Sequence, residues 1–128
     1  MQNNPEDKFN DIMPQTDDRA LCVRIYKPIS REGYELNFLP RFIEMVERHG
    51  EARLLVHYDN YKGWESQAAL MDLGMTMKYA KKIRRIALVN PPEAELKRRK
   101  INEDIYKDTE IEIFSEDEID KAVTWVKS

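Results

Sequence analysis

Three acidic side chains lie near one turn in the middle of the 128-residue chain: Asp59, Glu65 and Asp72. Paired carboxylates can act as general acid and base, but they need a nucleophile or a histidine positioned beside them. The sequence offers no serine or histidine constellation to support these acids. We therefore expect a protein that is not an enzyme.

Asp72 is unusual because it interrupts the apolar run from Ala68 to Met77. Burying an ionised carboxylate without a partner is prohibitively costly, so this side chain needs a donor. Arg84 and Arg85, near the start of the next predicted strand, are candidates for a structural ion pair, and a helix N-terminus is another possible donor. The alternative is that Asp72 is a polar anchor in a ligand pocket.

The sequence gives little support for a metal site or for a catalytic nucleophile. His49 and His57 are eight positions apart on different predicted elements, and Cys22 is the single cysteine. No pair of ligands has zinc spacing, so we expect no metal site. Cys22 lies within a strand pattern and is expected to be a packed thiol. The four glycines are isolated, so no phosphate-binding loop is present and no cofactor is expected.

Aromatic and methionine side chains follow the same central turn and could line a pocket. Methionines adapt to irregular shapes, although at helical spacing they are more often simply core. The candidate residues for binding a ligand or a partner are Tyr58, Asp59, Tyr61, Trp64, Asp72 and Met75.

Basic residues are concentrated in two runs, at positions 81–85 and 97–100, and an acidic segment follows at 103–120. Such segregation could attract an anionic head group, RNA or an acidic protein. Neither run has interleaved aromatic residues or a nucleic-acid motif, and the formal net charge is -3. We expect solvated helix faces here and no nucleic-acid partner.

The elements that must position these residues alternate between strands and helices. Strand patterns occur at 21–26, 54–56, 83–89 and 109–114. The continuously apolar 54–56 fits a central parallel strand, whereas 109–114 alternates like an edge strand. Helical patterns follow at 37–49, 64–79, from Pro92 onward and after Ser115. Four β-α units predict an α/β fold with a mainly parallel sheet and helices on its faces.

Several helix details are expected from the same patterns. Pro40 should lie in the first turn of its helix, and Gly50 should end it. The helix at 64–79 is apolar nearly all round and should be covered on most sides. The helix after Pro92 should be peripheral, with Ala94 and Ile101 on its thin apolar stripe. Ser115 and Glu118 form a capping box for the last helix.

The length corresponds to one domain, which we place at residues 19–128. Residues 1–18 are polar and acidic and are expected to form a loose tail. Phe9, Ile12 and Met13 are the side chains that could still pack on the domain. No secretory signal and no run of about 18 apolar residues is seen, so a cytoplasmic protein is expected.

A set of weak marks resembles the SpoIIAA-like branch of the STAS superfamily from about Leu21 to Lys127. These marks are Gly33-Tyr34 ahead of Pro40, Arg53-Leu54-Leu55, Gly63-Trp64, Asp72, Arg85-Ile86-Ala87-Leu88-Val89, Ile113-Phe114 and Ala122-Val123-Thr124-Trp125. The resemblance implies a small α/β domain of the STAS and CRAL-TRIO kind. Relatives in that superfamily include anti-sigma-factor antagonists, cytoplasmic transporter domains and lipid carriers.

Two departures limit what the resemblance implies. The antagonists carry a phosphorylated serine in the turn after their central strand, and here the turn from Asp59 to Trp64 has no hydroxyl residue except Tyr61. Many relatives have Val-Gly-Asp after the third strand, and here Val89-Asn90-Pro91-Pro92 follows. The first hypothesis is a non-catalytic regulatory or scaffolding domain that binds a protein partner, possibly itself. The alternative is a carrier or sensor of a small apolar or amphipathic ligand such as a lipid.

Overall fold

A computed structural model describes residues 11–128, which form a five-stranded sheet with helices on both faces. The strands are β1 (Asp11–Ile12), β2 (Leu21–Ile25), β3 (Ala52–Tyr58), β4 (Ile83–Val89) and β5 (Glu110–Phe114). They are arranged side by side in sequence order. β2 to β5 are parallel, and the short β1 pairs antiparallel with β2. The predicted α/β fold with four β-α units and a mainly parallel sheet is confirmed.

β3 and β4 lie inside the sheet, and the continuous apolar run at 54–56 correctly predicted this for β3. Leu54, Leu55, Ile86 and Ala87 are all buried, because helices cover both faces of these strands. β5 lies at the edge, and its residues are exposed except for Phe114. Alternation of glutamate and isoleucine along this strand therefore correctly indicated an edge position.

The first crossover contains a longer helix than the predicted span of 37–49. It begins with α1 (Arg31–Gly33), continues through a π-helical turn (Tyr34–Phe38) and ends with α2 (Leu39–His49). Ser30 caps its beginning by accepting a hydrogen bond from the Gly33 N–H. Pro40 lies in the first turn of α2, as predicted, although the π turn continues the helix ahead of it. The wider π turn directly before it accommodates a residue that lacks an N–H and would clash with a regular preceding turn.

The remaining helices are α3 (Ser66–Tyr79), α4 (Glu93–Ile101) and α5 (Ile119–Lys127). Gly50 ends α2 in the left-handed conformation, with φ of 76°, as predicted. Pro92 caps α4 from just outside its first turn. The capping box of Ser115 and Glu118 is present ahead of α5, where a short 3-10 turn (Glu116–Glu118) precedes the helix.

The two faces of the sheet bury separate clusters. The α1–α4 face is covered by α1 to α4 and the π turn. Its buried strand residues are Leu21, Val23, Ile25, Ala52, Leu54, Tyr58, Ile83, Ile86 and Leu88. The α5 face is covered by α5, and its buried cluster is Met13, Ala20, Cys22, Leu55, Ala87, Val89, Phe114, Ala122 and Val126.

The segment before β2 differs from the loose tail that was expected up to residue 18. Asp11 and Ile12 pair with Arg24 and Val23, and Met13 is buried in the cluster of the α5 face. Backbone pairing and one buried side chain together are enough to order this polar stretch. Phe9 and the other residues of the expected tail before Asp11 lie outside the described residues.

α3 is less covered than its composition predicted. Leu70 is 69% exposed and Met77 is 67% exposed, although Ala68, Asp72, Met75 and Thr76 on the opposite side are buried. The prediction that neighbours cover this helix on most sides is wrong, because only the side toward the sheet is packed.

Candidate functional site

The centre of the site is Glu95, a carboxylate only 2% exposed on the first turn of α4. Its Oε1 accepts hydrogen bonds from the Tyr58 hydroxyl at 3.1 Å and from Arg98 Nη2 at 3.1 Å. Its Oε2 accepts from the Tyr61 hydroxyl at 2.9 Å and from Trp64 Nε1 at 3.1 Å. A buried carboxylate is tolerated when it is paired and hydrogen-bonded, and both conditions hold here.

The turn after β3 brings Tyr61 and Trp64 to Glu95. Asn60 and Gly63 have positive φ values of 60° and 94°, which fold the chain back after the strand. The Ile29 N–H donates to the Gly63 carbonyl at 2.9 Å, which fixes the turn against the loop before α1. A glycine suits φ of 94° because a side chain rarely adopts it.

Asp72, on the buried side of α3, is the second carboxylate of the site. Its Oδ1 accepts a 2.6 Å hydrogen bond from the Tyr34 hydroxyl, and its Oδ2 lies 3.3 Å from Arg98 Nη1. The π turn supplies Tyr34, whose ring also lies near that of Trp64. Arg98 therefore bridges both carboxylates and joins α3 to α4.

Electrostatics shift the pKa values of Glu95, Arg98 and the tyrosines of this network. Burial opposes ionisation of Glu95, but the hydrogen bond and charge of Arg98 outweigh it, so the Glu95 pKa lies below its ordinary value. Burial also opposes the charge on Arg98, yet Glu95 and Asp72 raise its pKa. Burial and the nearby acids raise the pKa values of Tyr34 and Tyr61. The tyrosines thus stay protonated and donate to the carboxylates.

A small cavity lies beneath α3 and α4 against the α1–α4 face of the sheet, with a volume of about 60 Å³. Most of its walls are apolar, and Asp72, Arg98 and Arg99 supply its charged groups. The lining residues are Val23, Ile25, Ile29, Tyr34, Phe38, Leu54, Val56, Tyr58, Trp64, Asp72, Met75, Thr76, Ile83, Ile86, Arg98, Arg99 and Tyr106.

Comparison with known proteins agrees with this architecture. Residues 20–127 match the sequence profile of the SpoIIAA-like family. This chain belongs to the SpoIIAA-like family. The crystal structure of an uncharacterised protein of the DUF3478 family from Shewanella loihica, with a SpoIIAA-like fold, is similar with a TM-score of 0.66 and 21% sequence identity. The alignment covers 91% of this chain and 90% of that one. No curated protein matches the sequence significantly.

The SpoIIAA-like domain brings together five of the six residues proposed from the sequence. Tyr58, Tyr61 and Trp64 converge on Glu95, while Asp72 and Met75 line the cavity from α3. The sixth, Asp59, forms an ion pair with Arg24, with Oδ2 2.7 Å from Nη2. Its side chain is therefore directed away from this network, toward the edge of the sheet at β1 and β2.

The prediction that Arg84 or Arg85 pairs with Asp72 is wrong. Arg85 instead donates to Glu110 and to the Trp125 carbonyl, and Arg84 is exposed. Glu65, the third acid near the turn, is exposed and accepts a hydrogen bond from the Arg31 N–H at 3.2 Å. The three acids considered from the sequence thus have separate partners and do not form a shared acid–base pair.

Sequence reasoning missed Glu95, Arg98 and Arg99. The basic run at 97–100 was expected to be a solvated helix face, but Arg98 and Arg99 line the cavity. The apolar stripe expected to bury α4 instead faces solvent, since Ala94 is exposed and Ile101 is 82% exposed. The spacing of Glu95 and Arg98, one helical turn apart, was the available signal.

Side chains suited to other chemistries are engaged or inert in the SpoIIAA-like domain. Burial raises the pKa of Cys22 to about 11, so its thiolate is scarce at neutral pH. His57 is buried, and its Nε2 lies 2.7 Å from Glu116 Oε2. Within residues 11–128, no group of three His, Cys, Asp or Glu side chains could hold a metal ion. Among the same residues, no helix is long and apolar enough to cross a membrane.

Proposed function

We propose that this SpoIIAA-like protein is a non-catalytic regulatory domain that acts by binding protein, and that its partner is a second copy of the same chain. One observation carries the proposal: the outer side of α3 exposes Leu70, Leu73 and Met77. These residues are three and four positions apart and therefore share one side of the helix. An exposed apolar surface of this kind is typical of an interaction site.

The absence of charge on this surface favours self-association. From Ser66 to Met77 the only ionisable residue is Asp72, which is buried, although 35% of the whole chain is charged. Two such surfaces related by a two-fold axis would meet without like-charge repulsion, and two-fold dimers are the commonest homo-oligomers. Gly74 is exposed on the same helix, and a Cβ atom there would meet nothing within 4 Å. A glycine at this point allows two helices to approach closely.

The site chemistry supports binding rather than catalysis. Glu95 and Asp72 are held by donors, and the tyrosines around them stay protonated because their pKa values are raised. A general acid or base works best when its pKa lies near the operating pH. Glu95, whose pKa is lowered, and Tyr34 and Tyr61, whose pKa values are raised, are not poised in that way.

A second candidate function is transport or sensing of an apolar or amphipathic ligand such as a lipid, and the cavity is the observation that favours it. Its volume of about 60 Å³ is well below the roughly 150 Å³ of an engineered cavity that binds benzene. A lipid chain would therefore require α3 or α4 to move away from the sheet. Self-association is preferred because it requires no rearrangement.

Sedimentation equilibrium of the full chain over a wide concentration range tests the proposal. We expect a reversible dimer, and we expect Leu70→Glu combined with Met77→Glu to produce a monomer. Ile101→Glu combined with Ile113→Glu is the matched control, because it places the same two charges at exposed apolar positions on α4 and β5. A wild-type protein that stays monomeric at every concentration, or a dimer unaffected by the α3 changes, would overturn self-association.

A further inference from the structure

The cavity contains two arginines whose surroundings differ. Arg98 donates to both carboxylates of the site, with Nη1 bonded to Asp72 and both Nη2 and Nε bonded to Glu95. Its neighbour Arg99 forms neither of these ion pairs. Glu95 and Asp72 are already fully engaged by Arg98 and by the aromatic donors described above. The carboxylate oxygens of Glu95 and Asp72 thus all have donors, whereas some donors of the site still lack an acceptor.

The remaining donors belong to Arg99. Its Nε and Nη1 atoms are buried and have no hydrogen-bond partner among residues 11–128. The guanidinium lies beside the Tyr58 hydroxyl, and its carbon is 5.5 Å from the centre of the Tyr106 ring. Tyr58 already donates its proton to Glu95 and cannot also offer a negative charge to Arg99. Buried donors without an acceptor are costly, and native proteins rarely keep them.

We propose that the cavity binds a small organic carboxylate, whose carboxylate accepts hydrogen bonds from Arg99 and whose apolar part packs against the walls of the cavity. Guanidinium and carboxylate form strong charge-assisted hydrogen bonds, stronger than those of a neutral acceptor. The apolar walls suit a hydrocarbon group and not a second charge, because Ile86, Met75 and Leu54 are among the lining residues.

The size and charge of the cavity set limits on the ligand. A volume of about 60 Å³ favours short acids over long chains. A phosphate ester carries more charge than one free guanidinium can neutralise, and the chain lacks a glycine-rich loop to supply backbone donors. The ligand class is therefore a short-chain monocarboxylate. This site is on the inner side of α3 and is independent of the self-association proposed for the outer side.

Trp64 provides a readout because its ring lines the cavity. The chain has two tryptophans, and Trp125 packs against Phe114 on the α5 face. In a full-length Trp125→Phe variant, the fluorescence therefore reports Trp64 alone. We would titrate this protein with acetate, propionate and butyrate at constant ionic strength, and with acetamide, propionamide and butyramide as uncharged analogues of the same shape.

We expect saturable changes in Trp64 fluorescence with the acids, and an affinity that rises by about fourfold for each CH₂ group that reaches the apolar walls. The amides should bind about tenfold more weakly or worse, since they lose the charge-assisted hydrogen bonds. An absence of saturation with every acid, or equal binding of acids and amides, would overturn the proposal.

Arg99→Met in the same background should weaken butyrate binding by about tenfold to hundredfold. Lys100→Met is the matched control, because it removes one positive charge from the next, exposed position of α4 and should leave binding unchanged. If both variants bind butyrate as tightly as the parent, Arg99 is not the carboxylate receptor. The comparison of acids with amides does not depend on Arg99→Met and tests the proposal even if that variant fails to fold.

Discussion

On the α5 face of the sheet, the buried cluster holds apolar side chains and the thiol of Cys22, and α5 packs directly on them. The buried polar side chain beside this cluster is His57, which contacts the exposed Glu116. On the α1–α4 face, Glu95 and Asp72 are buried, and the half-buried Arg98 bridges them. Apolar packing contributes to stability wherever it occurs, whereas a buried ion pair often contributes little net stability. The contrast suggests that the α5 face serves mainly to hold the fold and that the α1–α4 face retains its charges for recognition.

The arginines of the two faces show the same contrast. Near the end of α5, Arg53 donates to the Val126 and Ser128 carbonyls, Arg85 to the Trp125 carbonyl and Arg19 to the Lys127 carbonyl. The last carbonyls of a helix lack internal partners and carry partial negative charge, so these arginines satisfy them. Arg99 has no comparable set of acceptors. On the α5 face the arginine charges stabilise the end of α5, whereas on the α1–α4 face the charge of Arg99 is available for a ligand.

Removing the carboxylate of Glu95 should have the largest effect. Glu95→Gln would leave Arg98 with only Asp72 and would present an amide N–H₂ to hydroxyl and indole donors. We expect the free energy of unfolding to fall by about 3–5 kcal/mol, as for other buried pairs broken on one side. Urea denaturation measures this loss of stability. Glu93→Gln is the control, because Glu93 is exposed on the same helix turn.

The pH dependence of stability checks the same residue. The Glu95 pKa is lowered in the folded protein relative to its ordinary value of 4.5. Its contribution is therefore complete above about pH 4.5 and is lost as the pH falls through the lower folded value. The wild type should lose more stability on acidification through this range than Glu95→Gln does. Parallel pH profiles for the two proteins would contradict the role of Glu95 as a buried, ionised acceptor.

The next largest effect is expected on the α5 face. Leu55→Ala removes a fully buried side chain from the central strand and should lower the free energy of unfolding by about 3 kcal/mol. Carboxylate binding at Arg99 should be unchanged, because Leu55 points to the opposite side of the sheet. Denaturant unfolding and the butyrate titration would be made on the same preparation. A loss of binding equal to that of Arg99→Met would show that the two faces are not separable.

Asp72→Asn should have a smaller effect than Glu95→Gln. The asparagine can still accept the Tyr34 hydrogen bond, and Arg98 keeps its bonds to Glu95, so we expect a loss of about 2 kcal/mol. Thermal and urea denaturation would measure it beside Asp104→Asn, an exposed control near the same surface. A variant as stable as the parent would mean that Asp72 contributes nothing through its contact with Arg98.

The smallest effect is expected at the start of α5. Ser115→Ala removes one half of the capping box and should cost about 1 kcal/mol, the usual value for a helix N-cap. Ser66→Ala, at the exposed first position of α3, is a suitable control because it lies inside its helix and not at the cap. An equal change for the two variants would contradict the capping role.

The sheet was predictable because a strand buried on both faces is continuously apolar, whereas a strand with one exposed face alternates between apolar and polar residues. The run Leu54-Leu55-Val56 and the alternation from Glu110 to Phe114 correctly indicated a central and an edge strand. α4 was not predictable in the same way, because its inner side carries Glu95, Arg98 and Arg99 while Ile101 faces solvent. Hydrophobic periodicity assigns ionic residues to the outside. Only the tertiary partners from β3, the following turn and α3 make the inward orientation possible.

The turn after β3 was the part of the site that sequence reasoning could find. Tyr58, Tyr61 and Trp64 are close in sequence, and the end of a parallel strand is a common location for a binding site. Tyr34 could not be found from the sequence, because its orientation depends on the π turn ahead of Pro40. The bridge from Asp72 to Arg98 joins residues 26 positions apart, and no local pattern encodes it.

The most direct test of the contrast between the two faces is an NMR measurement of the arginine Nε–H groups in the full chain. Assigned Nε–H resonances of Arg53, Arg85 and Arg99 would be followed during titration with butyrate. We predict that the Arg99 resonance exchanges slowly with water, shifts progressively and saturates, while those of Arg53 and Arg85 stay in place. A stationary Arg99 resonance, or equal shifts on both faces, would contradict the assignment of recognition to the α1–α4 face.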